Sequence, residues 1–244
     1  MKNVTQDFRF AFRNFRTRPW FMVVIVLTLA VGIGANTAIF SVVHGVLLGG
    51  LPVSDPERVV VCFNNGVKAA GGDHTPLAVA DVLDWRAQTR VFEDVGAFAW
   101  NRPTYTGGDL SEQIVCVDVT SNFFEIVKAK PLLGRTFLPE QGDPGAPASI
   151  VVSEQFWREK LSADPDVIGR SLKIGEAQPS IVAVMPASFD FPSQEVRAWR
   201  LMPWTTPTRR GPYFLTGLAR LAPGATLQQA RIEAGGLMSS FDHS

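Results

Sequence analysis

Residues 20–27 of this chain read WFMVVIVL, and no Lys, Arg, Asp or Glu occurs between Pro19 and Ser54. An α-helix rises about 1.5 Å per residue, so about 20 apolar residues cross the roughly 30 Å hydrocarbon core of a bilayer. The uncharged run exceeds that length, and it also exceeds the apolar region of a cleavable signal peptide, about 7 to 15 residues. The sequence therefore predicts a retained transmembrane helix over residues 20–51, whose last turns extend beyond the membrane as a stalk.

The charges on either side of this run predict its orientation. Residues 1–19 carry five basic side chains against the single acidic Asp7. Because basic residues are retained on the cytoplasmic side, the N-terminus is expected in the cytoplasm and residues 52–244 outside it. The whole chain has 23 basic and 23 acidic residues, so no overall field favours nucleic acid as a partner.

Residues 1–19 are interpreted as a cytoplasmic basic amphipathic segment. Aromatic and basic side chains each repeat at helical spacing, on adjacent faces: Phe8, Phe12 and Phe15, and Arg9, Arg13 and Arg16. Such a helix lies on the inner leaflet of a membrane. It either sets the topology alone or also contacts a cytoplasmic partner that delivers force.

A stripe of small residues runs along the predicted membrane helix. Ala30, Gly34 and Ala38 recur at every fourth position. Small residues at this spacing let a second membrane helix approach closely, although they are also common in membrane helices in general. The stripe is a candidate helix-packing face.

After the apolar run, the sequence alternates short apolar stretches, amphipathic stretches and Gly or Pro punctuation. This pattern predicts a mixed α+β domain over residues 52–244. Strands are expected at residues 58–63, 95–100, 113–119, 149–152, 171–174, 180–185 and 214–221, and helices at residues 77–89, 121–127, 153–161 and 227–238. The Gly- and Pro-rich stretch at residues 141–147 is either an internal boundary or a long surface loop.

Two cysteines, Cys62 and Cys116, lie in apolar runs that read as strands. Two cysteines are too few for a disulfide scaffold or a zinc site. They are interpreted as two buried thiols, with a bridge between them as the alternative if the domain lies outside the cytoplasm.

A search for catalytic motifs finds none. No Gly-Lys dipeptide occurs, so the chain has no P-loop, and no metal-binding or nucleophile motif is present. His74 is the only histidine placed where it could act in catalysis, and a solvated loop position is favoured for it. Asp81 and Asp84 are interpreted as an amphipathic helix surface, and residues 197–204 as an exposed partner patch. No catalytic residue, cofactor or metal is expected.

Several stretches, taken together, resemble a known family. Residues 7–15 (DFRFAFRNF) and 32–41 (GIGANTAIFS) are similar to the first membrane helix of MacB-like, macrolide-exporter-type ABC transporter permeases, especially the acidobacterial group. Further stretches resemble the periplasmic core domain of these proteins: residues 122–124 (NFF), 131–137 (PLLGRTF), 153–157 (SEQFW), 164–170 (DPDVIGR), 182–186 (VAVMP) and 219–224 (ARLAPG). Each motif is modest, but their order and spacing across nearly the whole chain are specific.

The resemblance implies a permease subunit of the inner membrane that couples a separate cytoplasmic ATPase to a periplasmic domain. It implies an α+β core with an inserted subdomain, and as partners the ATPase subunit, a second permease chain, a periplasmic adaptor and the lipid bilayer. Family members continue into three further membrane spans that this sequence lacks, so a truncated N-terminal part is expected. The alternative is a stand-alone membrane-anchored module that binds or senses a ligand outside the cytoplasm.

Overall fold

The computed structural model describes residues 20, 23–24, 26–34, 37, 55–63, 75–107, 111–204, 207, 209 and 211–241. The chain divides into two compact units, Met1–Gly50 and Leu51–Ser244. The described residues of the first unit are helical and exposed. Among the residues described, no helix combines the length and the apolar character needed to cross a bilayer.

The second unit, called here the core unit, is built on one large β-sheet. Eight strands follow the order β1-β10-β2-β5-β9-β7-β8-β6, and β3 and β4 form a separate two-stranded sheet. The strands are β1 (Val59–Cys62), β2 (Phe92–Asn101), β3 (Thr104–Tyr105), β4 (Glu112–Gln113), β5 (Cys116–Val119), β6 (Leu133–Gly134), β7 (Ser149–Ser153), β8 (Ser180–Met185), β9 (Ala198–Leu201) and β10 (Thr216–Leu221).

The large sheet consists of two halves. The first half pairs β1, β10, β2 and β5, all antiparallel. The second half contains β9, β7, β8 and β6, which come from one continuous stretch of chain between β5 and β10. The halves join where β5 and β9 pair in parallel, with Asp118 opposite Arg200. The second half is therefore an insertion into the first, which confirms the expected α+β fold with an inserted part.

Four helices pack on this sheet: α1 (Val79–Gln88), α2 (Phe123–Ile126), α3 (Glu154–Lys160) and α4 (Leu227–Phe241). The sequence predicted all four, with ends displaced by a few residues. At the start of α3, the Ser153 hydroxyl accepts a hydrogen bond from the Phe156 N–H at 3.2 Å. Thr226 and Gln229 exchange hydrogen bonds at the start of α4, because a Thr-x-x-Gln sequence can satisfy two free N–H groups reciprocally.

The core lies on both faces of the sheet, because successive side chains in a strand point to opposite sides. One face carries a single apolar cluster across both halves, centred on aromatic side chains: Phe98, Phe123, Phe124, Phe189, Phe191 and Trp199. The other face carries two clusters. One is under α3 in the second half and includes Phe156, and one is under α1 in the first half and includes Trp85.

Three sequence interpretations are wrong in their structural detail. Residues 197–204 are not an exposed patch, because Trp199 is fully buried in β9 at the centre of the sheet. Asp81 is not a surface residue: its side chain is buried and accepts a hydrogen bond from the Ala78 N–H at 2.8 Å. Residues 171–174 form isolated bridges rather than a strand, since only Ser171 and Ile174 pair with other strands or turns.

Both cysteines are free. Cys62 lies on β1 and Cys116 on β5, and β10 and β2 lie between them. Three strand spacings of about 4.8 Å separate the two strands by about 14 Å, which is too far for a disulfide. The structure therefore excludes the bridge and confirms two separate thiols.

Candidate functional site

The residues predicted to carry function fall partly within the described chain. Ala30 and Gly34 lie on an exposed helix, and a Cβ placed on Gly34 would have nothing within 4 Å. The other predicted residues lie outside the described residues: Ala38, His74, Phe8, Arg9, Phe12, Arg13, Phe15 and Arg16. Within the described ranges, no group of three His, Cys, Asp or Glu side chains is placed to hold a metal ion.

The site that the structure adds is called here the β1–β10 junction. Strand β1 is the first strand of the core unit and β10 is the last, and the two pair antiparallel with Val59 opposite Arg220 and Cys62 opposite Gly217. The chain therefore reaches the sheet and leaves it at the same end of two adjacent strands.

Arg58 fastens this junction. It is the last residue of a 3₁₀ turn, Pro56–Arg58, that leads into β1. Its Nε and Nη2 atoms donate to the carbonyl oxygen of Leu221, the last residue of β10, at 3.0 and 2.6 Å. Nη2 also pairs with the carboxylate of Glu93 on β2. Arg58 directly precedes β1, so its side chain links the start of β1 to β10 and β2. Hydrogen bonds from a charged donor contribute about 1.5–3 kcal/mol.

Arg220 lies beneath the same junction. Its side chain is 1% exposed, and its Nε donates to the carbonyl oxygen of Ile126 at the end of α2. The Asp55 carboxylate lies 3.7 Å from Arg220 Nη1 and 3.8 Å from Lys128 Nζ. A buried guanidinium is costly without a counter-charge, so Asp55 compensates it at the start of the described core.

Asp55 and Lys128 both adopt left-handed backbone conformations, with φ of 53° and 52°. Such values are uncommon outside glycine and cost energy that surrounding contacts must repay. The two residues form an exposed ion pair with each other, which places the turn before β1 next to the end of α2.

A second ion pair lies at the seam between the two halves of the sheet. Arg200 on β9 binds Asp118 on β5 through two hydrogen bonds of 2.7 and 2.8 Å, and Asn101 donates to the same carboxylate at 2.9 Å. The hydrogen bond to Asp118 raises the pKa of Arg200. The pair lies between Ala99 of the α1 cluster and Ile150 of the α3 cluster, where the parallel strands join.

Burial also raises the pKa of the two cysteine thiols. Desolvation, together with the nearby Asp118 carboxylate, raises the pKa of Cys116 to about 12. Burial alone raises the pKa of Cys62 to about 12. Neither thiol is ionised near neutral pH, so neither has the thiolate character of a reactive cysteine.

Sequence reasoning missed both ion-pair sites because their partners are far apart in the chain. Arg58 and Leu221 are separated by 163 residues, and Asp118 and Arg200 by 82. The one local signal at the junction is the ARLAPG stretch at residues 219–224, which places an arginine inside an apolar strand. A charged residue in such a strand indicates a buried partner but does not identify it.

Comparison with known proteins places the fold. The periplasmic region of MacB from Actinobacillus actinomycetemcomitans is 12% identical, with a TM-score of 0.58 over 78% of this chain and 86% of that chain. The extracellular domain of the noncanonic ABC-type transporter YknZ from Gram-positive bacteria is 15% identical, with a TM-score of 0.54 over 76% of this chain and 95% of that chain. At these identities the likeness establishes the fold alone.

No curated protein matches the chain. The family comparison is more specific, because residues 22–235 match the MacB-like periplasmic core domain over most of the chain. The match begins inside the predicted membrane helix, and it includes both halves of the sheet and most of α4. The chain therefore belongs to the MacB-like periplasmic core domain family.

Proposed function

We propose that this chain is a permease subunit of a MacB-like ABC transport or mechanotransmission system. It couples a separate cytoplasmic ATPase to the core unit, which lies in the periplasm. The family match over residues 22–235 supports this role. The observation that carries it is the β1–β10 junction, where the first and last strands of the core unit are paired and fastened by Arg58.

In this proposal residues 20–51 form a membrane helix in the inner membrane, with the N-terminus in the cytoplasm. The first element of the core unit is the 3₁₀ turn Pro56–Arg58, a few residues after that helix. The Arg58 side chain binds the Leu221 carbonyl and the Glu93 carboxylate, so a force that reaches this turn is passed to β10 and β2.

Two predicted surfaces complete the assembly. The aromatic side chains Phe8, Phe12 and Phe15, with Arg9, Arg13 and Arg16, contact the ATPase or the inner leaflet. Ala30, Gly34 and Ala38 pack against another membrane helix, and the exposed positions of Ala30 and Gly34 support that assignment. A second permease chain supplies the symmetry-related half, and an adaptor in the periplasm is the further partner.

The proposal is tested by purifying the tagged full chain from its own membranes in mild detergent. ATP hydrolysis that depends on the tagged chain is measured in the eluate, and the P-loop subunit is identified by mass spectrometry. We expect vanadate-sensitive hydrolysis that is absent from a mock purification. An eluate without any P-loop protein or hydrolysis would refute the permease role.

The contact surface is tested with the triple change Phe8→Ala, Phe12→Ala and Phe15→Ala. These changes leave every basic residue in place, so the positive-inside signal is retained. The matched control removes two exposed apolar side chains of the core unit, Leu132→Ala and Ile168→Ala. The proposal expects loss of bound ATPase only in the triple variant. Retention of ATPase in that variant would overturn the assigned contact while leaving the permease role intact.

A further inference from the structure

Three large aromatic side chains are exposed at one end of the large sheet, called here the aromatic end. Trp100 lies near the end of β2 and is 53% exposed, while Tyr213 and Phe214 come just before β10 and are 41% and 44% exposed. The last pair between the two strands joins Phe98 to Thr216. Because the strands are antiparallel, β2 runs on from this pair toward the end from which β10 begins, so the three side chains share one end of the sheet.

The aromatic end continues a buried cluster out to the solvent. Trp100 contacts Phe98 edge to face, with ring centroids 6.4 Å apart, and Phe98 is buried among the aromatic side chains of the core. Side chains of this size, each about half exposed, present about 300 Å² of aromatic surface. Exposed patches of that area on a single chain are often functional, and Trp, Tyr and Arg are the residues enriched where binding energy concentrates.

The backbone beside Trp100 is open on one side. Strand β2 continues for three residues beyond its last pair with β10, and no described strand pairs with Ala99–Asn101 on that side. The Ala97 carbonyl accepts a hydrogen bond from the Thr120 N–H on the β5 side. Because backbone groups alternate sides along a strand, the N–H and C=O of Trp100 point to the open side. An extended peptide that lies beside β2 there pairs with these groups as an added strand.

The stretches of chain that carry the aromatic end are basic. Residues 99–107 and 202–217 contain three basic residues, Arg102, Arg209 and Arg210, and no Asp or Glu. Arg102 is exposed and forms no ion pair with another described residue. The carboxylate of Asp118 on the neighbouring β5 is already bound by Arg200. A carboxylate of a partner therefore complements Arg102, since a guanidinium binds a carboxylate with two parallel hydrogen bonds.

We propose that the aromatic end binds a short extended segment of a partner protein that carries acidic and apolar side chains. The segment lies beside Ala99–Asn101 as an added strand, its apolar side chains cover Trp100 and Phe214, and an acidic side chain pairs with Arg102. A second copy of this chain is not the occupant, because a stable dimer buries about 800 Å² on each partner, more than twice the area here. The surface is separate from the β1–β10 junction, so its failure would leave the proposed function unaffected.

The probe is the acetylated and amidated peptide Glu-Thr-Val-Thr-Val-Thr-Glu, titrated into the purified full chain by isothermal titration calorimetry. Alternate side chains of an extended peptide share a face, so its Glu and Val residues lie together in either chain direction. We expect saturable one-to-one binding. A peptide with Lys for both Glu, and one with Ser for both Val, should each bind at least about tenfold more weakly. Absence of saturable heat, or equal binding of the Lys peptide, would overturn the proposal.

Two variants locate the binding site on the chain. Trp100→Ala should weaken the peptide at least about tenfold and keep the Tm within about 5 °C, because the side chain is half exposed. Arg102→Gln should weaken the Glu peptide at least about fivefold and leave unchanged a peptide with Gln for both Glu. The matched controls Leu132→Ala and Arg231→Gln, at exposed positions elsewhere, should bind the peptide as the wild type does. Wild-type affinity in Trp100→Ala, or equal effects of Arg102→Gln on both peptides, would refute the site.

Discussion

Arg58 and Leu221 are joined by two hydrogen bonds, of 3.0 and 2.6 Å, from one guanidinium to one carbonyl oxygen. The residues lie at opposite ends of the core sequence, yet β1 and β10 place them side by side at one end of the sheet. The contact fixes the 3₁₀ turn before β1 to the end of β10, the last strand of the sheet.

The change Arg58→Ala removes this contact and the ion pair with Glu93. We expect the free energy of unfolding of the core unit to fall by about 1.5–3 kcal/mol, the range for hydrogen bonds to charged groups. Chemical denaturation of the full chain in detergent, followed by tryptophan fluorescence, measures this loss.

Arg170→Ala is the control for that measurement. Arg170 also has an acidic partner, Asp164, but the pair is exposed and 3.7 Å apart. Exposed pairs contribute little, so the loss should stay below about 0.5 kcal/mol. Equal losses in the two variants would show that Arg58 does not fasten the junction.

The seam between the two halves depends on Asp118 and Arg200. We expect Asp118→Asn and Arg200→Gln to be coupled by at least about 1 kcal/mol in a double-mutant cycle, because the pair is partly buried and bidentate. Denaturation midpoints of the four proteins give the coupling energy. The same cycle on Arg158 and Glu154, a pair four residues apart on α3 in which Arg158 is 62% exposed, should give less than about 0.5 kcal/mol. A seam cycle without coupling would contradict the role given to this pair.

The sequence predicted the local elements well because their signals are local. The strand at residues 180–185 was predicted with the observed ends, since a β-branched run between polar turns has few alternatives. The helix predicted at residues 153–161 begins one residue before the observed α3, whose first turn is capped by the Ser153 hydroxyl. The inserted second half agrees with the fold expected from the family resemblance.

Features that depend on distant residues could not be predicted in this way. Residues 197–204 read as a surface patch because Trp199 and Trp204 lie near two prolines. The charge of Arg200 is matched by Asp118, which lies on β5. Asp81 was also interpreted as a surface residue. Its carboxylate instead accepts a hydrogen bond from the Ala78 N–H, a contact that depends on how the chain bends before α1.

A substitution at Gly134 tests how closely β6 packs against β8 at the edge of the sheet. Its φ is +74°, and a Cβ there would lie 2.1 Å from the carbonyl oxygen of Val182. Gly134→Ala therefore forces the backbones of β6 and β8 apart, and we expect a loss of at least about 3 kcal/mol or failure to fold. Gly145→Ala is the matched control, since Gly145 has φ of +88° but nothing within 4 Å of the added Cβ. It should cost only the backbone strain, about 1–2 kcal/mol. Similar losses at both sites would contradict the described packing of β6.

The two thiols should resist alkylation in the folded protein. Burial raises the pKa of Cys62 and of Cys116 to about 12, and thiolate is the reactive form. At pH 8 we expect no modification by a maleimide in native conditions and two modifications after denaturation, read by intact mass. Prior treatment with a reductant should change neither count, because the cysteines are not bridged. Rapid labelling of Cys116 in the native protein would show that the centre of the sheet opens.

The most direct test of the whole account is the side of the membrane on which the core unit lies. Glu176 is in an exposed turn of the second half, and the native thiols are expected to give little background. The variant Glu176→Cys is treated with a membrane-impermeant maleimide in intact spheroplasts, with the wild-type chain as the control. The account predicts that the variant is labelled before lysis and to the same extent afterwards. Labelling that appears only after lysis would place the core unit in the cytoplasm and contradict the proposed permease.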